Sequence, residues 1–359
     1  MSSIDREFCP LSSSAWRAAG LSYHSLNCFY RQQFGTKVWK LSVDAGCSCP
    51  NRDGTLATLG CIFCDPESFS PSRRLPPPHG EMGRVRQALC LDQTAQRSGG
   101  HSIAAQLDAA IARRGRQHAN ERFVAYFQPG SNTYGPTDSL RAAYLEAIAR
   151  PEVVGLAIGT RPDCASDEIL DVLAEIAGKT WLIVEFGVQT VHDRTLDRIA
   201  RGHHYDAFVD AYRRCRQRGL NVGVHVILGL PGESCEDMLE TAQTLANLEL
   251  HSVKPHNLYA VKNTVLADQV AAGQVRLPEL AEYVGWLVDF LERLPGRFVI
   301  ERLCGDAPRD YLVGPVWCLN KAGVRRAVDA EFHRRGTWQG CKAAGSLADA
   351  SQTPRRTVE

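Results

Sequence analysis

Trp181-Leu-Ile-Val-Glu-Phe-Gly-Val188 runs directly into Gln189-Thr190, and Val222-Gly-Val-His-Val-Ile-Leu228 runs into Gly229-Leu-Pro-Gly232. Each run is short and largely apolar, and each is closed by polar or glycine residues. Apolar side chains at successive positions suit a strand covered on both faces, as in a parallel sheet. The same unit recurs outward from these two. Residues 37–43 alternate Val38, Leu41 and Val43 with polar neighbours; 123–127 end in Gln128-Pro129-Gly130; 153–158 close at Gly159; 253–258 complete a set of six. Helical spacing fills the intervals, with Ile103, Leu107, Ala110 and Ile111, then 140–148, then Ile169, Leu170, Leu173 and Ile176, then 208–215 with Gly219 as a C-cap, then 238–248. Repeated strand–helix units predict an α/β fold, a closed or partly open parallel barrel. Ligands in such sheets sit at the C-terminal strand ends, where Gln128, Thr160, Arg161, Gln189, Gly229 and His256 stand.

Composition divides the rest of the chain. Residues 1–21 read as a flexible N-terminal extension and 22–262 as the barrel, interrupted at about 68–100 by a Pro- and Arg-rich insertion. Residues 263–345 read as a helical and mixed C-terminal appendage, with helices at 280–294 and 321–335, and 346–359 as a disordered tail. The 41 basic and 40 acidic side chains of the 359 residues argue against a global polyanion binder and leave room for local patches. Two basic runs stand out: Arg73, Arg74, Arg84 and Arg86, and Lys321, Arg325, Arg326, His333, Arg334 and Arg335. Lys254, His256 and Lys262 could face a phosphate or carboxylate. No run of apolar residues is long enough to span a bilayer, and the polar N-terminus lacks an apolar signal core, which predicts a cytoplasmic protein.

Thirteen cysteines, an odd number spread from Cys9 to Cys341, do not form a disulfide framework. One local group stands out, in Cys47-Ser-Cys49-Pro-Asn-Arg-Asp-Gly-Thr-Leu-Ala-Thr-Leu-Gly-Cys61-Ile-Phe-Cys64. Thiolates on a loop after the first strand can hold an iron–sulfur cluster, and three of them leave one iron of a cubane open to a ligand. A four-cysteine zinc site is a second reading, although the C-x-C pair is a poor bite for tetrahedral zinc. A Cys61-x-x-Cys64 redox pair is a third.

These stretches, taken in order, resemble the radical SAM (S-adenosylmethionine) superfamily. The motifs are Ser48-Cys49-Pro50-Asn51-Arg52-Asp53-Gly54, Gly60-Cys61-x-Phe63-Cys64, Ala125-Tyr126-Phe127-Gln128, Gly159-Thr160-Arg161-Pro162-Asp163, Glu185-Phe186-Gly187-Val188-Gln189-Thr190, Arg201-Gly202-His203 and Gly229-Leu230-Pro231-Gly232-Glu233. The resemblance covers about residues 22–340 and is greatest to the subgroup containing YhcC and YtqA, related to the elongator catalytic subunit and to oxygen-independent coproporphyrinogen oxidase. It implies a partial (β/α)6 barrel of the TIM type. It implies one [4Fe–4S] cluster on Cys49, Cys61 and Cys64, with Cys47 a spare, and SAM on the open iron. Electron transfer to the sulfonium would yield a 5′-deoxyadenosyl radical. It also implies that Phe63 packs on adenine, that Gln128 meets the SAM amino group and that Thr160 and Arg161 meet the methionine moiety. Glu185 and Gln189 would bond the ribose, and Gly229 would let backbone approach adenine. A carboxylate inside an apolar strand needs a partner, and Arg161 is the candidate for Glu185. By resemblance the substrate is tRNA, remodelled at its wobble uridine from carboxymethylaminomethyl to aminomethyl, with flavodoxin or ferredoxin as electron donor. A small carboxylated or porphyrin-like substrate is the nearest alternative. A zinc-stabilised, non-catalytic nucleic-acid-binding protein is the alternative from another class.

Overall fold

The computed structural model describes residues 15–69, 102–114 and 121–343. Most of the insertion expected at 68–100, with Arg73, Arg74, Arg84 and Arg86, lies outside the described residues, as do the first fourteen residues and the tail. Residues 15–21, expected within a flexible extension, are docked. Ala15–Ala18 is a helical turn whose Trp16 is buried and donates from Nε1 to the Gly296 carbonyl at 3.0 Å.

Strands β1 (Val38–Val43), β2 (Arg122–Phe127), β3 (Val153–Thr160), β4 (Trp181–Gln189), β5 (Asn221–Leu228) and β6 (Ser252–Asn257) pair in parallel in chain order. A two-residue ribbon follows, β7 (Ala260–Val261), antiparallel to β9 (Leu312–Gly314). Between them β8 (Val299–Ile300) pairs with β6, so the sheet has seven parallel strands in a curled half-barrel, one more than the sequence pattern shows. Eight of the nine β4 residues are buried, as a strand covered on both faces requires.

The outer face of the sheet is covered by helices whose apolar stripes supply Leu107, Tyr144, Leu173, Phe208, Leu245 and Leu287, all fully buried. Each such side chain stabilises the fold by about 1.5–3 kcal/mol relative to exposure. The N-terminal end of the half-barrel is plugged by the helix Leu26–Phe34, capped by Ser25, whose side chain accepts from the Cys28 N–H. Its Phe29, Tyr30 and Phe34 rings meet Trp181 at centroid distances of 5.8, 5.9 and 6.1 Å. Gly155 makes this possible, since a Cβ there would stand 2.7 Å from both the Trp181 ring and its carbonyl. With that end closed by aromatic rings, the interior opens at the C-terminal strand ends.

Gly130, in the turn after β2, has φ +84°, and a Cβ on it would lie 2.4 Å from the Cys47 carbonyl oxygen. Gly130→Ala therefore strains the turn and pushes on backbone, and is expected to lower the unfolding free energy by about 1–3 kcal/mol in urea titration. Gly285, inside the helix Leu280–Leu291 with open space around it, is the control. Gly285→Ala is expected to raise stability by about 0.5–1 kcal/mol.

Candidate functional site

The loop after β1 carries the cysteines and is tied down on two sides. Ser131 N–H donates to the Ser48 carbonyl at 2.9 Å, and Gln128 N–H to the Val43 carbonyl at 3.0 Å, fixing the loop to the end of β2. On the other side Ile62 N–H donates to the Ile199 carbonyl at 3.1 Å. Within the loop, Arg52 N–H closes a turn on the Cys49 carbonyl at 2.8 Å, and the Arg52 guanidinium bonds the carbonyls of Leu59 and Cys64. The loop surrounds one end of a cavity of about 980 Å³ at the C-terminal strand ends.

Cys49, Cys61 and Cys64 line that cavity and lie near enough to influence one another electrostatically. Burial pushes the Cys64 thiol up to about 12, with Cys61 and Cys49 adding to the shift and Arg52 and Arg201 opposing it. Donors already aim at sulfur, since Asn51 Nδ2 and Arg201 Nη1 each stand 3.5 Å from Cys61 Sγ. Arg201 also donates to the Gly187 carbonyl at 2.6 Å, and Asn51 to the Ala200 carbonyl at 2.7 Å, so the turn after β4 is bolted to the cysteine loop. Cys47 also lines the cavity, but it is buried in the main core cluster, with Tyr144 as an electrostatic neighbour.

Sulfur spacing separates the metal readings. Among the described residues, the only three potential metal ligands whose donor atoms all lie within 4.8 Å of one another are His192, Asp237 and Glu240. No three of the four loop cysteines converge that closely. Zinc–sulfur bonds of about 2.3 Å place tetrahedral ligand sulfurs about 3.8 Å apart. A cubane puts each sulfur on its own iron and wants a wider triangle. The four thiols are therefore not drawn together as in a formed four-cysteine zinc site. Two buried donor atoms beside the thiols, Arg161 Nη1 and Arg201 Nε, have no partner in the structure. A bound cluster with an anionic ligand would give them acceptors, so the residues present fit such a group.

The other residues singled out from sequence are distributed unevenly. Phe63, Gln128, Thr160, Arg161, Glu185 and Gln189 all line the cavity. Phe63 also packs on the small cluster of Ile62, Leu196, Ile199 and Leu230. Gln128 Nε2 donates to Ser42 Oγ at 2.8 Å, and the Thr160 hydroxyl meets Thr133 Oγ1 at 2.6 Å. Gln189 adopts φ 71° at a bulge against β5. Gly229 is not among the lining residues. Its N–H donates to Met238 Sδ at 3.2 Å, and a Cβ there would point at the Trp286 ring 3.0 Å away, so it serves the packing of an outer helix. The proposed Glu185–Arg161 pair is also corrected. Arg161 forms a two-pronged bond with Asp163, from Nε at 2.9 Å and Nη2 at 2.7 Å.

Glu185 instead forms the floor of the cavity. Its Oε1 takes Lys40 Nζ at 2.5 Å, and its Oε2 takes Lys254 Nζ at 3.0 Å and His225 Nε2 at 2.8 Å. Burial acts to raise its pKa, but Lys254, Lys40 and His225 outweigh it and hold the carboxyl well below the usual range. Lys40 bridges on to Glu301 at 2.5 Å, which also accepts from Ser252 Oγ at 2.7 Å, and Lys254 donates to Tyr126 OH at 2.9 Å. Burial pulls Lys254 down to about 8 and His225 down to about 4, so the imidazole is neutral at pH 7. Sequence reasoning assigned no part to Lys40, Tyr126, Asn51, Arg201, Glu301 or Arg302. A lysine within a strand was the available signal for Lys40, and the quoted motifs contain Tyr126, Asn51 and Arg201. Lys262, grouped with Lys254 and His256 from sequence, is exposed and not among the lining residues.

Residues 54–245 match the radical SAM superfamily and residues 250–334 the radical SAM C-terminal domain. The chain belongs to the radical SAM superfamily. It is 36% identical over 321 residues to the uncharacterized protein YtqA of Bacillus subtilis (strain 168), covering 89% of this chain and 92% of that protein. It is 27% identical over 216 residues to the tRNA uridine(34) acetyltransferase of Dehalococcoides mccartyi (strain CBDB1), covering 59% of this chain and 46% of that protein. Among solved structures, the archaeal Methanocaldococcus infernus Elp3 with an N-terminal deletion shares the fold, with a TM-score of 0.58 and 17% identity, covering 84% of this chain and 64% of that one. Membership makes the chain a SAM-dependent, iron–sulfur radical enzyme. No described helix is long and apolar enough to cross a membrane.

Two outcomes are expected from this geometry. Cys49→Ala, Cys61→Ala and Cys64→Ala each lose cluster iron and visible absorbance after anaerobic reconstitution, whereas Cys47→Ala keeps both; iron loss in Cys47→Ala with retention in one of the others would reassign the ligands. Glu185→Ala leaves Lys40 and Lys254 without their shared counter-charge, and is expected to lower the unfolding free energy by about 3–5 kcal/mol. A loss in urea titration below about 1 kcal/mol would make Glu185 a ligand-binding group rather than a structural one.

Proposed function

We propose that this enzyme carries one [4Fe–4S] cluster on Cys49, Cys61 and Cys64, cleaves SAM reductively beside it, and acts on the modified wobble uridine of tRNA, converting carboxymethylaminomethyl to aminomethyl. The observation that carries the reading is the group of three thiols, flanked by donors, at one end of a 980 Å³ cavity. The chemistry supplied there is one-electron cleavage of the sulfonium to a 5′-deoxyadenosyl radical.

The chain's own part is holding, orienting and excluding. Asn51 and Arg201 direct N–H groups at Cys61 Sγ, and Arg52 braces the backbone of Cys64. Arg161, fixed by Asp163, keeps one N–H free at the cavity wall for a carboxylate. Phe63, Gln128, Thr160 and Gln189 provide an aromatic face and hydrogen-bonding groups for the rest of SAM. The Trp181 plug closes the far end, which protects a radical from solvent.

The cavity has the size of a site for a small ligand or one extruded nucleoside. The relative named as a tRNA uridine(34) acetyltransferase supports a nucleoside in tRNA over a porphyrin-like substrate. Less support comes from the helix Lys321–Arg335 than its composition promised. Lys321 pairs with Asp306 at 2.9 Å, Arg334 with Glu331 at 2.7 Å, and Arg335 with Asp289 at 2.7 Å, so much of its charge is already matched. A low-potential donor such as flavodoxin or ferredoxin would supply the electron.

Nucleoside mass spectrometry of tRNA from cells lacking the gene tests the substrate. Carboxymethylaminomethyluridine is expected to accumulate at the expense of its aminomethyl product, and an unchanged wobble-uridine profile would contradict the proposal.

A further inference from the structure

The cavity has a second cationic wall, contributed by β6 and the segment after β8. Lys254, His256 and Arg302 line it, beside Tyr126 and His225 from β2 and β5. The charges do not balance. Three cations, Lys40, Lys254 and Arg302, face two carboxylates, Glu185 and Glu301, and both carboxylates are already bound by Lys40, Lys254, His225 or Ser252. Asp306, which also lines the cavity, is held by Lys321 at 2.9 Å. No ion pair or hydrogen bond joins the Arg302 side chain to any described residue, although it influences Tyr126, Lys254 and His256 electrostatically.

A second unmatched group lies beside it. His256 Nε2 is buried with no hydrogen-bond partner, and its ring lies 5.4 Å, centroid to centroid, from that of His225. Burial, reinforced by the Arg302 charge, holds His256 well below its ordinary pKa, so it is a neutral imidazole with one N–H to give. Gly305 closes in behind, since a Cβ there would stand 2.8 Å from His256 Nδ1 and from the Tyr259 ring. A surplus guanidinium beside an unpaired imidazole, in a partly enclosed cavity, is half of a charge-assisted recognition site whose other half is an anion.

We propose that Arg302 and His256 form the subsite that recognises a carboxylate of the substrate, with Lys254 supplying positive potential from behind. This rests on the function proposed above in one respect: there the carboxylate is that of the carboxymethylaminomethyl group. The cysteines and Arg161 line another part of the same cavity, so cofactor and substrate carboxylate would use separate cationic groups. The aminomethyl product lacks the carboxylate, so the same subsite favours release of product over substrate.

The test uses the anaerobically reconstituted full chain with SAM and three probes. Calorimetry compares 5-carboxymethylaminomethyluridine with 5-aminomethyluridine, and phenylglyoxal labelling of Arg302, read by peptide mass spectrometry, is run with and without millimolar malonate. The carboxylated nucleoside is expected to bind more tightly. Arg302→Gln should weaken it at least about tenfold and erase the preference, with Arg302→Lys retaining part of it. SAM affinity should stay within about twofold, and malonate should protect Arg302 in the unaltered enzyme. If Arg302→Gln weakens SAM and leaves the nucleoside preference intact, or if malonate gives no protection, the subsite is overturned. If malonate protects Arg302 but neither nucleoside binds, the subsite stands and the wobble-uridine reading falls.

Discussion

In a parallel half-barrel the inward-facing side chains must fill a space that helices cannot reach. In this chain the critical one is a carboxylate. Glu185 on β4 has no exposed surface on its side chain, and burying such a charge is tolerable only with close partners. Those partners come from β1, β5 and β6, and Lys40 extends the chain of contacts to Glu301 beyond β8. Strands at opposite edges of the sheet therefore meet through one ion network, which sets the curl of the sheet as hydrogen bonds between neighbouring strands alone would not. The same network lies beneath the cavity, so the shape of the site and the integrity of the sheet share one set of contacts.

Above that floor, the cysteine loop solves an electrostatic problem of its own. Three thiolates near one another repel, and metal-free burial drives Cys64 toward the neutral thiol. Arg52, Arg161 and Arg201 surround them, and each is fixed by a separate element: loop carbonyls for Arg52, Asp163 for Arg161 and the Gly187 carbonyl for Arg201. Positive charge is thus pre-positioned for an anionic centre. Gly130 and Gly202 allow the close backbone approach this needs, since a Cβ on Gly202 would stand 2.8 Å from Asn51 Oδ1.

The sequence disclosed the parts of this arrangement that depend on neighbours along the chain. Strands β2 to β5 were legible because they are largely buried and read as mainly apolar runs, and β1 by its alternation of apolar and polar residues. Asn221–Leu228 and Trp181–Gln189 differ from expectation by one residue at an end. The helix Lys321–Arg335 matched its expected span, but its charge did not mean what composition implied, because Asp289 and Asp306 lie against it and its own Glu331 pairs with Arg334. The strand Val299–Ile300 is too short to carry a periodicity. The Glu185 partners Lys40 and Lys254 are 145 and 69 residues away, and only the closed topology brings them in. Gly229 was misjudged for a similar reason: a strand end was visible, but not the outward turn that sets it against Trp286.

Electron paramagnetic resonance of the anaerobically reconstituted, dithionite-reduced chain, recorded before and after SAM is added and paired with metal analysis, tests the central claim most directly. The account predicts about four irons per chain and a reduced-cluster signal that shifts when SAM binds, because three cysteines leave one iron open. Stoichiometric zinc with no paramagnetic signal, or a cluster signal indifferent to SAM, would contradict it.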